Sequence, residues 1–322
     1  MRIGIPKALI FYKYFPFAKA FLEELGQEVI TSSDTDREIM EKSVEIAEGD
    51  FCLPLKIFYG HLVNLKKKKV DSILVPRIIS IEKNSYTCPK LLGLPDLVRS
   101  ADIEDLPEIL ELIIDQYEGK RKYLGSIFDF GKNFTKSNLK IAKAYFEGVM
   151  ALRKYQKDLR QGKIGNLNLM PSSNPKLIIG LVAHSYNILD RYPSMDIIRE
   201  LRKQNIGVKI PEMVSHKDIK KQTKSLGKKL FWSLEKEILG AGLYWARNRL
   251  VDGLIYVIAF PCGPDSFIKA IIEYEIGQLE NPSIPIMTIV IDEHSSPVGQ
   301  NTRIEAFTDM LMLKKRKQVM NQ

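Results

Sequence analysis

The chain has 322 residues, with 48 Lys or Arg against 39 Asp or Glu and a formal net charge of +9. Its 45% hydrophobic and 27% charged content is that of a globular protein and excludes a disordered or fibrous chain. The length suggests two compact domains, each with its own core. No apolar stretch approaches the ~20 residues of a membrane span; the longest, Leu254 to Phe260, is strand-sized. Lys7, Lys13 and Lys19 interrupt the apolar N-terminus, which therefore does not read as a signal peptide. The expectation is a soluble, cytoplasmic protein.

In chain order, Arg2 to Ile5 and Glu28 to Thr31 are β-type runs separated by a helical stretch through Phe17, Phe21 and Leu25. A second helix reads from Asp36 to Glu48, and a strand from Ser72 to Val75. Leu106 to Tyr117 and Asn138 to Leu159 carry apolar residues at helical spacing, which predicts a helical connector or cap. The Gly, Pro, Ser and Asn residues between Ile164 and Pro175 mark a boundary. Beyond it come a strand in Lys176 to Ala183, a helix through Met195, Ile198 and Leu201, and a strand around Val208 to Ile210. A long helix from Leu230 to Leu250, the strand Leu254 to Phe260 and a helix from Ser266 to Leu279 follow. The strand Ile286 to Ile291 and a helix from Arg303 to Leu313 complete the pattern. Strands alternating with helices predict parallel βαβ units and an α/β fold class. The expected division is an α/β domain over residues 1–100, a helical connector over 101–175 and a second α/β domain over 176–322.

Positive charge gathers at Lys66 to Lys69, between Lys217 and Lys229, and at Lys314-Lys315-Arg316-Lys317. Without interleaved exposed aromatics or a recognised module these runs read as solvated faces, not as a nucleic-acid interface. They remain compatible with an acidic partner or an anionic ligand such as coenzyme A.

The three cysteines are too few, and odd in number, for a disulfide framework, so they are thiols or metal ligands. Cys262 lies just past a strand in Pro261-Cys-Gly-Pro-Asp-Ser266, ahead of a helix that Asp265 or Ser266 can cap. Cys88 lies in the loop after the strand ending at Val75, and Cys52 opens a helix with Pro54 in its first turn. Ligands of open α/β sheets gather at such strand ends and helix starts, where the helix dipole favours a thiolate. Each cysteine has a proline within two positions, and Cys-Pro is a recurring neighbour of iron–sulfur ligands.

Zinc would need a fourth ligand from His61, His184 or His294, whereas a [4Fe–4S] cluster on three thiolates leaves one iron exchangeable. The lack of any Cys-x-x-Cys pair counts against a ferredoxin or zinc-ribbon site, and a catalytic Cys–His pair stays open. No phosphate-binding glycine fingerprint occurs. Asp292-Glu-His294 ends the last strand and places two carboxylates and an imidazole there, either as the wall of a site or as an ordinary βα turn. Thr302 and Glu305 have capping-box spacing. His61 reads as a surface residue at the end of its helix, His184 as a residue lining an interdomain cleft, and His216 as exposed.

Gly4-Ile-Pro-Lys-Ala-Leu9, Cys52-Leu-Pro, Gly60-His61, Val75-Pro-Arg77, Cys88-Pro-Lys90, Gly93-Leu-Pro-Asp96, Pro261-Cys262 and Asp292-Glu-His294 occur together here. With Gly299, Thr302-Arg303, Glu305-Ala-Phe307 and Asp309-Met-Leu311 they resemble the activase-associated uncharacterised proteins of the 2-hydroxyacyl-CoA dehydratase superfamily. The resemblance spans nearly the whole chain. It implies two Rossmann-like parallel-sheet domains with a [4Fe–4S] cluster in the cleft between them, held by Cys52, Cys88 and Cys262. It also implies an ATP-dependent activator with its own cluster as electron donor, a paralogous dehydratase-like subunit as partner, and a CoA thioester as substrate. One electron added to the thioester carbonyl gives a ketyl radical from which a 2-hydroxyl can leave, and the cofactor carries that chemistry. On this expectation His294 or Glu293 is the nearby acid–base group and Arg77 an anion contact. The alternative is a non-catalytic, cluster-bearing accessory protein that docks to an activator or dehydratase.

Overall fold

Short runs of Ile, Val and Leu, each followed by an amphipathic segment, build two parallel sheets. The structure is a computed structural model that describes residues 1–227, 229–279 and 284–320, the side chains of 318 and 319 excepted. It divides into two units, Met1–Gln156 with Leu230–Ser233, and Lys157–Lys229 with Leu234–Gln322.

The first unit contains β1 (Arg2–Ile5), α1 (Phe11–Glu24), β2 (Glu28–Thr31), α2 (Arg37–Ile46), α3 (Leu53–Lys67) and β3 (Ser72–Ser80). After these come α4 (Pro89–Leu92), α5 (Leu94–Arg99), β4 (Glu108–Asp115) and α6 (Lys120–Gly131), then α7 (Asn138–Arg160), which runs past the division. The strands form one parallel sheet in the order β2-β1-β3-β4.

Two expectations need correction here. Leu106 to Tyr117 is not helical: β4 pairs with β3 along Ser72 to Ser80, and Leu110 and Leu112 turn to the core at the two-residue period of a strand. Ile109, Ile113 and Ile114 are β-branched, and apolar residues interrupted by Glu108, Glu111 and Asp115 fit either period until pairing decides. β3 also continues through Pro76 to Ser80, past the expected end at Val75. β1 pairs only with Ser72 and Ile73, so one side of β3 has no strand neighbour at Pro76 and the missing donor costs no ladder bond there.

Ile3, Ile5, Leu74, Leu110 and Leu112 line one face of this sheet and pack with Phe17 and Phe21 of α1, Ile127 and Phe130 of α6, and Ile141 of α7. On the opposite face Gly4 lets α3 approach, since a Cβ there would lie 3.1 Å from Leu65 Cδ1 and Val70 Cγ2. Eleven of the fifteen residues of α3 are buried. α2 starts on its Asp36 cap, whose Oδ1 accepts from Ile39 N at 2.8 Å, and then seats directly on α3 at Gly60.

The second unit opens with a two-strand antiparallel hairpin, β5 (Lys163–Ile164) and β6 (Leu167–Asn168). Then come β7 (Leu177–Val182), α8 (Ser185–Leu189), α9 (Ile197–Lys203), β8 (Ile206–Lys209), a 3-10 turn at Pro211–Met213, α10 (His216–Lys224) and α11 (Ser233–Arg247). β9 (Gly253–Ala259), α12 (Gly263–Gly277), β10 (Ile286–Ile291) and α13 (Pro297–Met320) complete it. The parallel sheet runs β10-β9-β7-β8, the same winding as in the first unit. Every residue of β9 is buried. α11 lies close on β7 because Gly180 leaves room for Trp245, whose Cε3 would stand 2.6 Å from an added Cβ.

The fold class is therefore α/β with two parallel sheets, as the alternating pattern implies. α13 begins at Pro297, earlier than the capping-box spacing suggests. Proline at a first helical position is pre-set for the helix. Thr302 lies inside α13, donating Oγ1 to Val298 O at 3.0 Å. Among the described residues no helix is long and apolar enough to cross a membrane.

A Cβ on Gly60 would run into Ile39 O and Ser43 Oγ, whereas one on Gly49 meets nothing within 4 Å. We expect Gly60→Ala to lower unfolding free energy by roughly 1–3 kcal/mol through overpacking, and Gly49→Ala to stay within about 0.5 kcal/mol of wild type. Denaturant melts of the two variants check the contrast.

Candidate functional site

The three cysteines share one local construction. Cys52, Cys88 and Cys262 are the N-cap residues of α3, α4 and α12, each with extended backbone and no side-chain capping hydrogen bond. Each helix then has proline in its first turn, at Pro54, Pro89 and Pro264. The cap of α12 is thus Cys262 itself and not Asp265 or Ser266; Ser266 donates Oγ to Cys262 O at 2.8 Å. None of the thiols is in a disulfide, and all are half-buried. A sulfur where serine or aspartate would ordinarily accept from the first turn faces the positive end of its helix, which favours the thiolate. The effect is smallest for α4, which has a single turn.

Within the first unit the Cys52 and Cys88 segments are fastened side by side. Lys90, two residues past Cys88, donates Nζ to Asp50 O at 2.9 Å and lies 4.4 Å from the centre of the Phe51 ring. Backbone hydrogen bonds from Leu55 and Lys56 to Cys52 O, and from Leu91 and Leu92 to Cys88 O, start the two helices in the same way.

The same unit holds an apolar cavity of about 180 Å³ at the carboxyl end of its sheet. Ile5 at the end of β1 and Pro6 after it, Ile78 of β3, Ile114 of β4, and Phe11 and Phe15 of α1 line it. Gln116 contributes a polar group at its edge.

In the second unit, three ionisable side chains meet where β7 and β9 end. His184 caps α8 just past β7, Asp265 stands in the first turn of α12 after β9, and Glu235 in the first turn of α11. All three are at most 5% exposed. His184 Nε2 lies 3.0 Å from Asp265 Oδ1 and 3.9 Å from Glu235 Oε1. The 3.0 Å approach is a close contact and not an aligned hydrogen bond, since neither oxygen of Asp265 has a hydrogen-bond partner, and nor does Glu235 Oε2. Burial pushes the Glu235 carboxyl above its usual range, with His184 opposing and Asp265 adding to the rise. Tyr256 of β9 donates its hydroxyl to Asp265 O at 3.1 Å and holds the start of α12 against the sheet. His184 also stacks on Tyr186, with ring centres 5.0 Å apart.

The sequence pattern does not single out this group. Glu235 carries no motif, Asp265 reads only as a helix cap, and His184 reads as a residue lining an interdomain cleft or as a fourth zinc ligand beside the cysteines, not as a partner of these carboxylates. The one available signal is the position of His184 and Asp265 after adjacent strands, which requires the strand order to be known.

The remaining candidates are placed as follows. Arg77 is gripped on two sides: Nη1 and Nη2 reach Asp96 at 2.7 and 2.8 Å, and Nε reaches Glu111 at 2.6 Å. Asp96 and then Glu111 raise the guanidinium pKa further, and Arg77 holds both carboxyls below their usual values. Glu293 and His294 lie in the turn after β10. That turn is closed by its own residues: Asp292 Oδ1 accepts from His294 N at 3.0 Å and from Ser295 Oγ at 2.8 Å. His294 and His216 are exposed.

His61 is not the surface residue that its sequence position suggests. It lies within α3, fully buried, with Nε2 3.1 Å from Thr35 Oγ1. Burial first, and Lys7 second, push its pKa down to about 3. Unfolded His61 takes a proton near its ordinary 6.5 and folded His61 only near 3, so the unfolded state binds more protons between them. Its contribution to stability is complete above that upper value and falls with pH through the window, by at most ~1.4 kcal/mol per unit. We expect His61→Gln to flatten this part of the stability–pH curve, measured by denaturant titration between pH 7 and 4.

Among curated proteins none matches this chain. The family described as CoA enzyme activase uncharacterised domain (DUF2229) matches residues 2–214, which include Cys52, Cys88, Arg77 and His184. Two thirds of the 322 residues are covered, the whole first sheet among them, and the chain belongs to that CoA enzyme activase-related family.

Proposed function

We propose that the protein is an iron–sulfur component of a CoA-enzyme activation system, with Cys52, Cys88 and Cys262 as the thiolate ligands of a [4Fe–4S] cluster. The observation that carries this is the shared construction of three N-cap cysteines, each ahead of a proline-bearing first turn. Membership of a CoA enzyme activase-related family supports the setting. Such a cluster supplies single electrons at low potential.

The chain's own residues bind and orient. The prolines remove backbone donors and stiffen the turns that follow each thiol. Lys90 ties the Cys88 helix to the segment before Cys52. The apolar cavity of the first unit suits the acyl part of a CoA thioester. Glu293 and His294, in the second unit, are the candidate acid–base groups. Partners of this reading are an ATP-dependent activator and a dehydratase-like subunit.

The accessory form, in which the chain carries a cluster but turns over no substrate, draws on two observations. Arg77 is committed to Asp96 and Glu111, and His294 is exposed to water.

Anaerobic purification from iron-replete cells tests the proposal. We expect brown protein with about four irons and four sulfides per chain, and loss of cluster in Cys52→Ala, Cys88→Ala and Cys262→Ala. Colourless, iron-free wild type overturns it. With cluster present, acyl-CoA turnover in the presence of an activator supports the catalytic form, and electron uptake without turnover the accessory one.

A further inference from the structure

Two buried carboxylates with three oxygens lacking any hydrogen bond are expensive in an apolar setting. Asp265 is 1% exposed and Glu235 3% exposed, and β7, β9, α11 and α12 leave no room for bulk water around them. One imidazole cannot neutralise both, since His184 carries at most one positive charge. A divalent cation balances the pair: two carboxylates and a neutral imidazole bring a net charge of −2. The geometry points to such an ion, and we infer that His184, Glu235 and Asp265 form a binding site for a divalent transition metal of the zinc type.

The donor atoms fit. One atom from each side chain lies within 4.8 Å of the others, and the shortest separation is 3.0 Å. Ligands bound at about 2.0–2.1 Å in a tetrahedron stand about 3.4 Å apart, so only small rotations of Glu235 and Asp265 are needed. A nitrogen with two carboxylate oxygens selects zinc, manganese or iron(II) over magnesium and calcium, which prefer oxygen alone. Three protein ligands leave a coordination position open, as in sites that bind a water or substrate oxygen.

Position argues in the same direction. In the second sheet, β7 is followed by β8 on one side and β9 on the other, and the crevice at such a reversal of winding is where open α/β sheets take their ligands. His184 and Asp265 are delivered by those two strands, and Glu235 by a helix packed down on Gly180 of β7 through Trp245. Tyr256 fixes the backbone of Asp265 from below. The site uses none of the cysteines and is independent of the cluster reading.

The test uses the full chain with Cys52→Ser, Cys88→Ser and Cys262→Ser, which removes thiolate competition for metal. After chelator treatment it is dialysed against Zn²⁺ alone, and bound zinc and thermal midpoint are measured. We expect about one zinc per chain and a rise in midpoint, with His184→Gln and Asp265→Asn each weakening zinc binding by about 100-fold or more. Absence of bound zinc, or full retention in both variants, overturns the inference.

Should the triple-serine chain fail to fold, Co²⁺ is added to the apo wild type. A visible cobalt spectrum free of thiolate charge-transfer bands, and abolished by Asp265→Asn, supports the site. A spectrum that shows only thiolate ligation, or none at all, overturns it. Cluster content of the wild type is measured separately, so that failure here and failure of the iron–sulfur proposal are told apart.

Discussion

In each unit the first strand of the parallel sheet lies in its middle and the chain winds outwards in both directions, and this topological constraint places the two main features of the molecule. Parallel strands hand over to helices at one end of the sheet only, so all exits accumulate there. Where the winding reverses, between β1 and β3 and between β7 and β9, successive helices leave to opposite faces and a crevice stays open. The apolar cavity of the first unit and the His184, Glu235 and Asp265 group of the second both sit at these reversals. They differ in what lines them. The first offers space without charge, and the second offers buried carboxylates with three oxygens that lack hydrogen bonds.

Small residues decide how close the helices come. Gly60 brings α2 into backbone contact with α3, and Gly180 accommodates the indole of Trp245 under α11. Both positions lie far from the cysteines in function but not in consequence. α3 carries Cys52 at its start, and α11 carries Glu235 in its first turn. The registry of glycine against its neighbour therefore sets where the Cys52 sulfur and the Glu235 carboxylate end up.

Much of the second sheet is legible from residue type alone. Gly253–Ala259 is an apolar run of strand length and Ile286–Ile291 another broken only by Thr288, and they form β9 and β10 with little change of boundary. The first sheet is harder. Glu108–Asp115 mixes three acidic residues with apolar ones on a helix-like spacing, and only its pairing with β3 shows it to be a strand. Pro76 and His61 mislead for a related reason. A proline is tolerated where no neighbour needs its N–H, and a histidine is buried where α2 happens to cover it, and neither condition is written locally. The N-cap position of Cys52 follows directly from Pro54, whereas the group of His184, Glu235 and Asp265 is assembled from segments tens of residues apart and has no signature short of the fold.

α3 is enclosed along most of its length, down to Lys56 and His61, which are charged or polar types that seldom lie so deep. A helix clamped in this way has almost no freedom to slide or tilt. Whatever binds at its first residue meets a ligand already in its final place, and the surroundings shift little when the bound group changes charge. On the iron–sulfur proposal, low reorganisation of that kind is what rapid electron hand-off would demand, and the packing that encloses α3 would supply it.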